Sequence, residues 1–184
     1  FLKQYNLDKD FKLNIEPNHT TLSGHEYEHD ILISSVYGLL GSIDSNTGDT
    51  LLGWDTDQFP NNLYETTEAM LVFLQSGGLQ GGGVNFDAKI RRNSTDLDDI
   101  FHAHIGGVDN FARALITADN ILTSSNYKEL FNLRYNSFNS GKGKAFEQGK
   151  LNLNDLYEIA INTGELNLKS GKQEMFENII NQFI

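Results

Sequence analysis

The sequence predicts an α/β fold of parallel strands joined by helical crossovers, and three observations predict it. Three short apolar runs of strand length occur, at residues 11–16, 39–44 and 84–87. Helical patterns of roughly ten to fifteen residues or more separate and follow them, the alternation that marks βαβ units. Each run closes in a proline, a glycine-containing polar stretch or a carboxylate, so each stops where a loop would begin.

In residues 11–16, Leu13 and Ile15 alternate with Lys12 and Asn14, and Pro17 ends the strand. Over residues 23–36 the apolar positions Tyr27, Ile31, Leu32 and Val36 fall at helical spacing, and Gly38 closes the helix. The second strand, 39–44, leads into a polar segment at 45–49. Asn62 caps a helix with Glu65 three residues on, and Leu63, Thr67, Met70, Leu71 and Leu74 mark its inner face up to Gly77-Gly78. The third strand follows Gly81-Gly82-Gly83. After Ser94-Thr95 a long helical pattern runs through Ile100, Ile105, Val108, Phe111, Leu115 and Ile121. From residue 126 on there is no strand signal. A final amphipathic helix is predicted there, opened by a capping box of Ser170 and Gln173 and carrying Met175, Phe176, Ile179, Ile180 and Phe183 on one face.

Composition narrows the function. The chain has 184 residues, 39% of them hydrophobic, which suits one soluble domain. No apolar run reaches the roughly 18 residues that cross a bilayer, so no membrane partner is expected. The absence of cysteine removes disulfides and thiolate zinc sites and leans to the cytoplasm. A net charge of −11 repels phosphate backbones and makes cations, not nucleic acids, the natural counter-charge. The opening Phe1 is no initiator, and the chain reads as a piece of a longer protein.

In parallel α/β folds ligands gather at the carboxyl ends of the strands. Each predicted strand ends in an acid there: Glu16, Asp44 and Asp87. His19 stands just past the first, and Asp55 and Asp57, two apart in an extended segment, point to one side. Crowded carboxylates need a positive neighbour, and a divalent metal supplies it. Five acids and one imidazole form a hard, oxygen-rich set suited to Mg²⁺, Mn²⁺ or Co²⁺, and their number suits two ions sharing a carboxylate.

Four blocks, Asn14-Ile15-Glu16-Pro17-Asn18-His19, residues 39–44, residues 53–60 around Trp54-Asp55-Thr56-Asp57, and Asn85-Phe86-Asp87-Ala88-Lys89, closely resemble the signature blocks of the xylose (glucose) isomerases. The resemblance covers essentially the whole chain and matches the second half of that enzyme's (β/α)8 TIM barrel. The segment 91–96 and the tail resemble the family's longer-chain branch. The resemblance implies a C-terminal barrel portion of about three strands over residues 1–125. It also implies a helical extension over 126–184 that embraces a neighbour in a homotetramer.

It further implies that Glu16 bridges two ions, that Asp44 and Asp87 complete the ion holding the open-chain sugar, and that His19, Asp55 and Asp57 hold the catalytic one. The substrate contacts are then Glu16, Asp44, Asp87 and His19. Asp57 and a water move the proton while a hydride shifts between C1 and C2, converting D-xylose to D-xylulose or D-glucose to D-fructose. Lys89 and Trp54 stand just outside the ligands. The family's ring-opening histidine, a further metal-binding glutamate, the substrate lysine and pocket tryptophans belong to earlier strands and do not occur in this sequence, so a missing N-terminal half is expected as partner.

Two other readings stand beside this one. The chain could be an inactive structural or metal-binding fragment. Alternatively, His25-Glu26-Tyr27-Glu28-His29 fits H-E-x-x-H on the helix predicted over 23–36, the pattern of a zinc peptidase.

Overall fold

A computed structural model describes residues 1–79, 81–165 and 167–184. Its described residues divide into two compact units, residues 1–120 with 183–184, and residues 121–182.

The first unit opens with β1 (Leu13–Ile15), α1 (Pro17–Leu22), α2 (His29–Val36) and β2 (Leu40–Asp44). The hairpin strands β3 (Thr47–Asp49) and β4 (Trp54–Gln58) follow, then α3 (Leu63–Gln75), β5 (Val84–Asn85) and α4 (Leu97–Ser124), whose last residues belong to the second unit. The sheet is parallel in the order β1-β2-β5, with Ile15 opposite Ile43 and Asp44 opposite Asn85. The three predicted strands are therefore real and parallel. They form an open sheet, and no closed barrel exists among the described residues.

Two differences at the strand ends matter for the site. Pro17 does more than stop β1: its fixed φ and missing N–H suit the first turn of a helix, so α1 starts there. The helix predicted over 23–36 accordingly splits, with Gly24 at φ +86° in the gap and α2 beginning only at His29. The polar stretch 45–49 is not a plain loop either. Its β3 pairs antiparallel with β4, Thr47 opposite Gln58 and Asp49 opposite Trp54.

The core lies where α2 packs on the sheet and against α3: Tyr27, Ile31, Ile43 and Leu71 are almost wholly buried, with Ile15, Leu40 and Met70 around them. Asn62 caps α3 as expected, its Oδ1 accepting from the amides of Tyr64 (3.1 Å) and Glu65 (3.5 Å). Of the predicted stripe on α4, Phe111 and Ile121 are buried, with Ala114 and Ala118 beside them, whereas Ile100, Ile105, Val108 and Leu115 are exposed. Gly107 lets α4 come close, because a Cβ there would stand 3.1–3.2 Å from the rings of Phe59 and Phe86.

The second unit is helical: α5 (Tyr127–Tyr135), a 3-10 turn at Asn136–Asn139, α6 (Gly141–Glu147), α7 (Leu153–Thr163) and α8 (Gln173–Asn181). Phe176 of α8 sits edge-on to Tyr127, centroids 5.4 Å apart, and Ile180 is buried. The capping box expected at Ser170 does not form. Lys172, at φ +62°, precedes α8, and Ser170 Oγ accepts only from the Lys172 amide at 3.2 Å. A true capping box stands instead at Asn152 and Asp155, opening α7.

Candidate metal centre

Glu16 follows β1 directly and serves as the N-cap residue of α1, so its side chain stands at the carboxyl end of the sheet. One turn on, His19 turns its ring back toward it, with Nε2 3.4 Å from Glu16 Oε2. The β3–β4 hairpin lies against α1 and brings Asp55 to the same place, its Oδ2 3.2 Å from His19 Nε2. These three ligand atoms lie within 4.8 Å of one another, the only such group of three among the described residues.

The other predicted ligands are placed differently. Asp44 ends β2; its Oδ2 accepts from Asn14 Nδ2 at 2.5 Å, while its Oδ1 is buried with no hydrogen-bond partner. Asp57, on β4, accepts from Lys89 Nζ at 2.7 Å, and that bond, then one with Asp55, draws its carboxyl below the ordinary value despite some desolvation. Asp87 is exposed just beyond β5, so the close group contains neither it, Asp44 nor Asp57. Asp57 and Asp87 share one feature that sequence did not reveal: φ values of +44° and +40°. Non-glycine residues in that region carry strain of order 1–3 kcal/mol, which collects at functional sites.

Lys89 lies beside Asp57, and its backbone amide also donates to the Asp57 carbonyl at 2.8 Å. Trp54 is more than half exposed, with the Arg92 guanidinium 5.8 Å above its ring. A separate cavity of about 480 Å³ opens beside α4, lined by Phe59, Lys89, Arg91, His102 and Arg113 among others. It does not include Glu16, His19 or Asp55.

The residues suit divalent ions on two grounds. The donor set is carboxylate and imidazole, and a buried, unpartnered carboxylate oxygen at Asp44 is a group that costs stability unless a cation or a donor meets it. Three asparagines that sequence reasoning passed over complete the arrangement. Asn14 holds Asp44, Asn18 donates to Asp55, and Asn46 donates to Glu16 Oε1 at 2.9 Å and to the Asp87 carbonyl at 3.0 Å. Their only signal in the chain was a position next to strand ends.

The zinc-peptidase alternative needs both histidines on one helix, and that helix does not form. His25 precedes α2, whose first residue is His29, and the two rings merely stack at 4.1 Å.

Residues 131–184 match the model of the XylA2 C-terminal domain family. Across its whole length the chain is 56% identical to the xylose isomerases of Phocaeicola vulgatus and Bacteroides thetaiotaomicron and to xylose isomerase 2 of Xanthomonas campestris. The chain matches the C-terminal part of the xylose isomerases. It spans 41–42% of the length of these relatives. In the xylose isomerase match, all six predicted ligands fall inside the aligned region, because the alignment leaves none of this chain out.

Proposed function

We propose that this chain is the metal-binding C-terminal part of a xylose isomerase, which interconverts D-xylose and D-xylulose, and D-glucose and D-fructose. The observation that carries the proposal is the convergence of Glu16, His19 and Asp55 at the carboxyl end of a parallel sheet, in a chain 56% identical to xylose isomerases. Residues 1–125 are read as the closing portion of a TIM barrel and 126–184 as a helical arm that contacts another subunit of a tetramer. The remaining catalytic groups come from an N-terminal half. The working compartment is the cytoplasm.

Two divalent cations, Mg²⁺, Mn²⁺ or Co²⁺, when bound would polarise the sugar carbonyl and stabilise negative charge on the neighbouring oxygen. Glu16 would stand between the two ions. Asp44 and Asp87 would help hold the ion that takes the hydroxyls of the open-chain sugar. His19, Asp55 and Asp57 would hold the other ion. Asp57 is read as the group that would move the proton between O1 and O2, and the hydrogen bond from Lys89 orients its carboxylate. The hydride then passes from C2 to C1 within the substrate, away from water.

The test joins this chain to the N-terminal part of a xylose isomerase relative and assays formation of xylulose from xylose. Activity that requires Mg²⁺ or Mn²⁺ and is abolished by EDTA is expected. Folded, joined protein that takes up no Mn²⁺ and turns over no xylose would reject the proposal.

A further inference from the structure

Three acids of the metal centre share a pattern that their ligand roles alone do not require. Each carboxylate has one oxygen engaged by a nitrogen donor and the other left toward the group or without a partner. Asn46 Nδ2 takes Glu16 Oε1 at 2.9 Å, while Oε2 faces His19. Asn18 Nδ2 takes Asp55 Oδ1, while Oδ2 faces His19. Asn14 Nδ2 takes Asp44 Oδ2 at 2.5 Å, while Oδ1 is buried and bare. In all three cases the donor is a neutral carboxamide.

That choice has a physical consequence. An arginine or lysine would orient a carboxylate equally well, as Lys89 does Asp57, but it would offset part of the charge. An amide N–H fixes the carboxylate plane and leaves the full negative charge for the ion. The amides are themselves fixed. Asn18 and Asn46 are wholly buried and keep an unpartnered Oδ1, an arrangement retained at a cost in stability. Asn14 Oδ1 accepts from Ser42 Oγ at 2.6 Å, across the β1–β2 pairing. Gly48 on β3 makes room for Asn18, since a Cβ there would run into Asn18 Oδ1.

We infer that Asn14, Asn18 and Asn46 are positioning residues, a carboxamide collar that aims one oxygen each of Asp44, Asp55 and Glu16 at the divalent cations without neutralising them. The inference rests on the proposed metal-binding function and adds to it the groups that set cation affinity from outside the ligand set.

The test measures Mn²⁺ affinity of this chain joined to the N-terminal part of a xylose isomerase relative, from the spectrum of free Mn²⁺, beside its unfolding midpoint. The variants are Asn46→Leu and Asn18→Leu, which keep the branched shape and remove the donor, and Asn14→Ala on the exposed edge strand. Each is expected to weaken Mn²⁺ about 10- to 100-fold, and Asn14→Gln is expected to recover most of the loss. Because Asn46 acts through Glu16, Asn46→Leu should have little further effect once Glu16→Gln is in place. If the unaltered joined protein binds Mn²⁺ and Asn14→Ala and Asn46→Leu bind it equally well, the collar is overturned while the metal centre stands. The collar is likewise overturned if Asn46→Leu weakens Mn²⁺ as much in the Glu16→Gln background as alone. If the unaltered joined protein binds no Mn²⁺, the metal centre itself fails.

Discussion

Two groups of acids in the first unit meet opposite fates. In the first group, Glu16, Asp44, Asp55 and Asp57 each accept a hydrogen bond from an amide or ammonium nitrogen, and Asp57 does so at a positive φ. Elsewhere in the same unit, Glu28 and Glu65 are half-buried near Tyr27, whose hydroxyl has no hydrogen-bond partner. Burial raises both carboxyls above the ordinary value, and Glu26 adds to the repulsion on each. Burial disfavours the charged form of Glu28 and Glu65, whereas the first group gathers nitrogen donors and a histidine at a sheet end, the arrangement that suits a cation.

The comparison breaks most sharply at Asp55. Replacing it with Asn removes one ligand oxygen's charge from a half-exposed rim and leaves the core untouched. Mn²⁺ affinity should fall by about 100-fold or more, above the range for residues that act only through a ligand. The unfolding midpoint should barely move. An unchanged Mn²⁺ titration would mean that Asp55 is no ligand.

Gly48→Ala probes the same region through packing. The added methyl group must push Asn18 away from Asp55, and overpacking at such a contact costs about 1–3 kcal/mol. Chemical denaturation should register that loss together with weaker Mn²⁺ binding. Stability lost with Mn²⁺ affinity intact would show that Asn18 only fills space. In the second unit, which holds no acid group of this kind among the described residues, Asn152→Ala should cost about 1 kcal/mol by deleting the capping box of α7, with no effect on Mn²⁺.

Much of this was legible in the chain, for reasons that can be named. Strand ends were readable because Glu16, Asp44 and Asp87 close apolar runs, and α3 because Asn62 and Glu65 are a local signal that needs no partner. The split between α1 and α2 was not, since proline reads as a stop in a strand and as a start in a helix, and only the sheet decides between them. The Ser170 box failed because Lys172 turns left-handed just before α8, a backbone state that side-chain identity did not announce. The asparagine donors were invisible because their meaning lies in contacts across about 30 to 40 positions of sequence.

The smallest effect belongs to the buried acids and carries a definite sign. Because folding raises the Glu28 and Glu65 carboxyls, mainly by desolvation, the folded chain binds protons more tightly than the unfolded one. The cost of holding them ionised is therefore fully present above their folded values. It shrinks as pH falls through the window down to the ordinary glutamate value near 4.5 and is gone below it. Glu28→Gln or Glu65→Gln should raise stability at pH 7 by up to about 1 kcal/mol, and the gain should vanish in that acid window. Asp57 runs the other way. Its depressed carboxyl contributes stability that is fully present above the ordinary aspartate value and is lost as pH falls through the folded one. Lys89→Met should therefore lower stability slightly at neutral pH, and its difference from the unaltered chain should disappear in acid. Unfolding midpoints of the three variants between about pH 3 and 8 would test whether the two groups of acids differ in the way their surroundings require.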